Sequence, residues 1–151
     1  MSDSVNGYGT ILKVRSATAS TSSSNYTAVG NIQSIGGPNQ SRNSIDVSTM
    51  DSTSRFREYL PGMLDAGEMT CEMNYDGTAA GTADALNTLY KSTATNWEWT
   101  IQFLDNTSTP SKFASIGHVT ALGFAVPSFD DKVSQSLSLK LTGVPTYTDI
   151  G

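Results

Sequence analysis

Few side chains in this chain could do chemistry, and their spacing argues against most reactions. There are fourteen acids, nine Lys or Arg, one histidine and one cysteine in 151 residues. A glycosidase needs two carboxyls about 5–5.5 Å apart to retain configuration or about 6.5–9.5 Å apart to invert it. Glu68 and Glu72 share a strand face, but four residues at about 3.3 Å each put their Cα atoms about 13 Å apart. Asp130 and Asp131 fall in a turn between strands, where solvated acids are ordinary. Asp46, Asp51 and Asp65 flank turns, where aspartate bonds its own backbone. His118 has no acid-base or metal partner near it in sequence. No Cys or His pair has zinc spacing, and EF-hand spacing is absent. Gly36-Gly37-Pro38 is a turn signal, not a phosphate loop, and no G-x-S-x-G occurs. Cys71 lies on the apolar face of its strand and reads as a small buried hydrophobe. These features exclude the common enzyme classes and call for no metal or cofactor. Trp97 and Trp99 offer a sugar platform if exposed, or core if buried.

The composition agrees with a protein that works through surfaces. Charged residues are 15%, well below the usual share of about a quarter. Ser, Thr and Asn supply the polarity, which favours strands and turns over exposed helices. The net charge of −5 argues against a basic grip on nucleic acid. The cations are scattered, with Arg55 and Arg57 close together. No secretory apolar region follows Met1, and no apolar run approaches the ~20 residues of a membrane span. We expect neither an export signal nor a membrane anchor. The N-x-S/T triplets at Asn25, Asn39 and Asn106 are expected by chance in so polar a chain.

The length fits one domain, 1–151, with loose ends at 1–8 and 146–151. Leu12 and Val14 mark a strand over 9–15. Residues 16–25, SATASTSSSN, read as an exposed loop. A second strand covers 26–35, with Tyr26, Ala28, Gly30 and Ile32 on one face, and Gly36-Gly37-Pro38-Asn39 stops it. A third strand covers 44–49. Over 68–75, Met69, Cys71, Met73 and Tyr75 alternate with Glu68, Thr70, Glu72 and Asn74, the period of a half-buried strand. Residues 82–91 make a helix, with Thr82 as cap, Asp84 and Lys91 suiting the dipole, and Ala83, Leu86, Leu89 and Tyr90 as the apolar stripe. Trp97, Trp99, Ile101 and Phe103 mark the next strand. A long strand over 113–126 slips phase near Gly117, which suggests a bulge. Residues 127–132 turn into a last strand over 133–142, ended by Gly143 and Pro145. The fold is therefore mainly β: an antiparallel sandwich or barrel of about seven strands with one flanking α-helix.

The stretch 51–67 stands out. At about 17 residues it is long for a connection in a compact domain. It nevertheless carries Phe56, Tyr59, Leu60, Met63 and Leu64, with Arg55, Arg57 and Glu58 among them. Aromatics and arginine are favoured at interface centres. The segment therefore reads as an assembly surface or as a flap folded over an edge of its own sheet.

The residues TMDSTSRFREYLPG and LDAGEMTCEMNYDG, with the C-terminal GFAVPSFDDKVSQSLSLKLTG, resemble the major tail tube protein of long-tailed bacteriophages. The resemblance covers roughly half the chain. It implies a β-sandwich whose copies form six-membered rings stacked into a hollow tube, with a continuous inner barrel through which DNA is ejected. Asp51, Arg55, Phe56, Arg57, Glu58, Tyr59, Leu60, Met63 and Leu64 would then belong to a loop that reaches the adjacent ring. The hairpin formed by 117–126 and 133–142 would lie among the barrel strands, and the helix outside them. A conduit wall should ignore or repel phosphates. Glu68, Glu72, Asp130 and Asp131 are the candidate lumen-facing acids. The implied partners are further copies of the chain, tape-measure, tail terminator and distal tail proteins, passing DNA that is not bound, and a sheath where the tail contracts. The implied location is the virion, after assembly in the host cytoplasm. Two alternatives stay open: the inner tube of a contractile injection or secretion device, and a monomeric carbohydrate-binding sandwich using Trp97 and Trp99.

Overall fold

The computed structural model describes residues 7–16, 26–51, 54–76, 82–93, 97–105 and 110–148. Readings that fall on 1–6, most of the 16–25 loop, Ser52 and Thr53, the turn at Gly77, the Thr82 cap, 106–109 and 149–151 lie outside the described residues or side chains.

The described residues form nine strands and one helix. They are β1 (Ile11–Ser16), β2 (Thr27–Val29), β3 (Ile32–Gly36), β4 (Ser41–Asp46), β5 (Tyr59–Asp65), β6 (Glu68–Asn74), α1 (Thr82–Lys91), β7 (Trp97–Gln102), β8 (Lys112–Ala125) and β9 (Ser134–Thr148). Seven strands join in one antiparallel sheet in the order β2-β1-β7-β8-β9-β6-β3, while β4 and β5 form a separate two-stranded ribbon. The mainly antiparallel architecture with a single helix is as the sequence pattern indicates.

The two edge strands, β2 and β3, are neighbours in the chain, joined only through Gly30 and Asn31. A link that short brings the two ends of the sheet together, so the sheet curls around its core. The sequence reads this stretch as one strand with Ala28 inward. In the structure Asn31 takes a positive φ of 59° and breaks the strand, and Val29 is the buried residue while Ala28 is exposed. Asparagine tolerates the left-handed region better than most residues. That bend lets one segment serve both edges.

The core is built from period-two faces. Leu12 and Val14 of β1, Met69, Cys71 and Met73 of β6, Trp99 and Ile101 of β7, and Leu137, Leu139 and Leu141 of β9 are buried together. Leu86 of α1 completes them, with Leu89 partly buried beside it. Ala83 is also buried, but Tyr90 stays half exposed, so the helical stripe is narrower than the sequence spacing suggests. Trp99 donates its indole N–H to the Gly117 carbonyl at 3.2 Å.

The phase slip in β8 lies at Thr120, three residues beyond Gly117. Pairing with β9 shifts between Val119 and Ala121, and the buried side changes from odd to even positions there. A second irregularity, between Ala114 and Ile116, faces Gly143–Pro145 of β9. Gly143 has a φ of 74°. The strand bulges there and runs on to Thr148 instead of stopping, because the extra residues are extruded as a bulge.

Across β1 and β7 a polar cluster sits on the side away from Leu12. Arg15 stands opposite Glu98 in register. Its Nε donates to Glu98 Oε1 at 3.0 Å, and the Tyr26 hydroxyl donates to the same oxygen at 3.0 Å. The guanidinium also lies 5.1 Å from the Tyr26 ring centroid. The hydrogen bond to Glu98 is the main reason Arg15 holds its proton more tightly than usual. Burial is the main cause of the upward shift at Tyr26. The cluster fixes β2 to the sheet.

Candidate assembly surface

The stretch 51–67 is not a single loop. Its second half is β5, which pairs with β4 through Ser41↔Asp65, Arg42↔Leu64, Ser44↔Pro61, Ile45↔Leu60 and Asp46↔Tyr59. Tyr59, Leu60, Met63 and Leu64 are therefore strand residues. Asp51, Arg55, Phe56, Arg57 and Glu58 lie in the connection at the tip. Sequence reading missed the strand because Pro61 and Gly62 are poor strand formers. The third strand also begins earlier than expected, at Ser41, and ends at Asp46. The period-two signal was weak for a physical reason: both faces of the ribbon are exposed, so neither is required to be apolar.

Every residue of β4 and all but one of β5 is exposed. Ile45, Leu60, Leu64, Phe56 and Met63 all present large apolar surface, Met63 at 90% exposure. The ribbon does not fold back over an edge of its own sheet. An isolated two-stranded ribbon is marginal in water, so this one needs support at its ends or from a partner.

The support at the root is specific. Gly37 and Pro38 are joined by a cis peptide bond, and the Asn39 amide donates to the Glu68 carbonyl at 3.3 Å. Asp65 accepts from the Gly67 amide at 2.7 Å and from Lys140 Nζ at 3.1 Å. The Gly67 carbonyl accepts from the Leu141 amide at 3.0 Å. Gly67 has a φ of 81°, and a Cβ there would overlap the Asn39 carbonyl, so glycine is required. The Gly67 amide, helped by Lys140, keeps the Asp65 carboxyl below its ordinary range. At the tip, Asp46 accepts from the Ser48 amide at 2.9 Å, and Ser48 Oγ accepts from the Glu58 amide at 2.9 Å. Hydrogen bonds from Ser48, its side chain first and its amide second, hold the Asp46 carboxyl below its ordinary range. Arg55 has a φ of 60°, in the left-handed region that side chains other than glycine, Asn and Asp rarely take.

A second surface is the outward face of β3, β6, β9 and β8. Glu68, Thr70, Glu72 and Asn74 project from β6, opposite Lys140, Ser138, Ser136 and Ser134 of β9. Ser34 and Gly36 of β3 pair alongside Glu72 and Thr70. The face is small and polar. Its lysine, Lys140, is engaged by Asp65. Glu68 and Glu72 therefore share one exposed face. Asp130 and Asp131 lie apart from them, at the β8–β9 turn, with Phe129 beside them at 98% exposure.

The structure gives the tryptophans their role. Trp99 is 1% exposed in the core and Trp97 is half-buried against it, so neither forms an open platform. Burial corrects the carbohydrate reading. Cys71 is buried, and burial pushes its thiol up to about 11. His118 is exposed on β8, opposite Lys140. Among the described residues, no group of three or more His, Cys, Asp or Glu could hold a metal ion. No described helix is long and apolar enough to cross a membrane.

A family model described as phage tail tube protein matches residues 4–147. No curated protein sequence matches the chain significantly. Among solved structures, the chain is similar to a component of the anti-feeding prophage baseplate, at 10% identity over 99% of both chains, with a TM-score of 0.74. It is similar to a chain in the tail of an empty gene transfer agent particle refined with C6 symmetry, at 15% identity over 97% of this chain and 100% of that one, TM-score 0.64. It is also similar to the SPP1 tail tube, at 14% identity over 96% and 80%, TM-score 0.68. At such identities the likenesses establish a shared fold.

Proposed function

The chain belongs to the phage tail tube protein family, structural proteins of the virion, and we propose that six copies close into a ring and that rings stack into the conduit for DNA. The ribbon supports this reading most directly. A two-stranded element with apolar side chains on the outside, fixed at its root and uncovered along its length, is what an inter-ring contact requires. In the stack, the ribbon and its tip, Asp51 to Leu64, reach the adjacent ring. Heterologous contacts close into rings or extend into helical stacks according to the rotation they impose. The six-fold symmetry of the similar gene transfer agent tail supports rings of six.

The small polar face of β3, β6, β9 and β8 then lines the lumen. Glu68 and Glu72 give it acidic points, and Lys140 is balanced by Asp65. Such a wall neither holds nor traps phosphates. Asp130 and Asp131, at the turn, sit nearer a ring edge than the middle of the wall. The partners are other copies along the tube, a terminator and distal tail proteins at its ends, and a tape-measure protein inside while the tail is built. No catalytic step enters this function.

Electron microscopy of the purified chain tests the reading. Six-fold rings or hollow tubes are expected, and a chain that stays monomeric at high concentration overturns it. A lumen lined by lysines in the solved tube would overturn the conduit wall described above. The likeness to the anti-feeding prophage component favours a second reading, in which the same tube sits inside a contractile injection device. Whether the tubes come from particles with a DNA-filled head separates the two.

A further inference from the structure

Building on the tube reading, we propose that the groove between α1 and β8 is the socket in a second copy that receives the ribbon tip, Arg55-Phe56-Arg57.

The groove is lined by Tyr75, Asp76, Asp84, Asn87, Tyr90 and Phe124, among others, and encloses about 370 Å³. Its chemistry is unusual for this molecule. Three aromatic rings remain substantially exposed there, and Tyr75 and Phe124 meet edge to face with centroids 5.6 Å apart. Two carboxylates sit among them. Aromatic faces beside carboxylates suit a guanidinium, which stacks on the ring and pairs with the acid. An apolar ring fits the same cleft.

The chain carries one segment of that composition. Arg55 and Arg57 flank Phe56, which is 78% exposed, whereas the other pair of cations at that spacing, Lys13 and Arg15, lies within β1. The other positions are less suited: Arg15 is committed to Glu98 and Lys140 to Asp65. Arg57 makes only a loose exposed pair with Asp46 at 4.0 Å.

The placement of the two surfaces gives the contact its direction. The ribbon leaves the sheet at the Glu68 end of β6, and the groove opens at Tyr75, beyond the other end. Seven residues of strand separate them, about 23 Å at about 3.3 Å per residue. A tip on one end and a socket on the other make a head-to-tail contact. Repeated from copy to copy, it propagates one way, as stacked rings require.

The test mixes two chains with one added cysteine each, Phe56→Cys and Asn87→Cys, each with its own tag, and treats assembled tubes with a short bis-maleimide. Cys71 stays in place because it is buried. A cross-link between the two tags is expected. In parallel, Arg55→Glu with Arg57→Glu should raise the concentration needed for tubes by about tenfold or more, and adding Asp76→Lys with Asp84→Lys should restore most of it. Circular dichroism on the monomers checks that each variant folds. Mixed tubes of the two cysteine variants that give no cross-link, or charge-reversed chains that assemble as readily as wild type, overturn the socket and leave the tube reading standing. A wild-type chain that never leaves the monomer overturns both.

Discussion

Lys140 of β9 reaches Asp65 at the last residue of β5, and the 3.1 Å ion pair closes the root of the ribbon against the sheet. The pair is partly exposed, so solvent screens it and its effect on global stability is small. Its consequence is local. Lys140→Gln should leave the urea midpoint nearly unchanged while hydrogen exchange quickens in 41–46 and 59–65. Unchanged exchange there would show that Gly67 and Leu141 hold the root without the lysine.

The same carboxyl sets a pH dependence. Asp65 and Asp46 both titrate below the ordinary aspartate value of 3.8 in the folded chain. Their contribution is therefore complete above that value and is lost as pH falls through the lower folded values. Exchange in the ribbon should rise as pH drops below about 4, after correction for intrinsic rates, while the core of β6 and β9 stays protected. A ribbon that loosens instead on raising the pH from 5 to 8 would contradict the assignment.

Gln135 is 1% exposed, and neither atom of its side-chain amide has a hydrogen-bond partner among the described residues. An unpaired buried amide costs about 1–3 kcal/mol. Gln135→Leu should therefore raise stability by an amount of that order, read from urea unfolding. A destabilised variant would mean that the amide is satisfied by internal water.

Trp99 and Gly117 are one packing unit, because the indole bonds the Gly117 carbonyl and that glycine lies between Trp97 and Leu141 in the sheet. Trp99→Ala should cost about 3–5 kcal/mol through the cavity it leaves. Gly117→Ala places a Cβ 2.6 Å from the Lys140 carbonyl oxygen, against backbone that cannot step aside. A loss of about 1–3 kcal/mol is expected from that overlap. Equal stability in Gly117→Ala would show that the β8–β9 pairing yields more easily than the register implies.

The fold was legible where one face is dry and the other wet. Met69, Cys71 and Met73 alternate with exposed residues, and β6 follows that pattern. Leu86 and the helix bounds were equally plain, because packing and the helix dipole ask for the same residues. The ribbon was not, since a strand wet on both sides has no period to read. The bend at Asn31 was missed because a single left-handed residue leaves no pattern, and Gly143 was taken for a stop when it is a bulge. Residues 51–64 drew notice by composition alone, as apolar side chains where a loop should be polar. The Arg15–Glu98–Tyr26 cluster had no signal at all, because its members meet only through the pairing of β1 with β7 and β2.

Cys71 offers an internal probe of folding. Burial, reinforced by Glu72, raises its thiol from 9.0 to about 11. The stability linked to that shift is full below the ordinary value and is lost as pH rises toward 11. A thiol reagent at pH 8 should leave the folded chain unlabelled and modify it fully in denaturant. Rapid labelling of the native protein would mean that β6 opens locally.

Met63 and Leu64 separate folding from assembly. Both are highly exposed on β5, and neither belongs to the core. Met63→Asp and Leu64→Asp should therefore leave the unfolding midpoint of the monomer within about 0.5 kcal/mol of wild type. On the proposed stacking, the same side chains would be buried between rings, and a carboxylate there would be desolvated without a partner. Each variant should fold and fail to make tubes, sedimenting as rings if ring closure uses other strands and as a monomer if it does not. Sedimentation and microscopy on the same sample read both properties. Tubes of normal length from Leu64→Asp would remove the ribbon from the inter-ring contact, whatever the tip does.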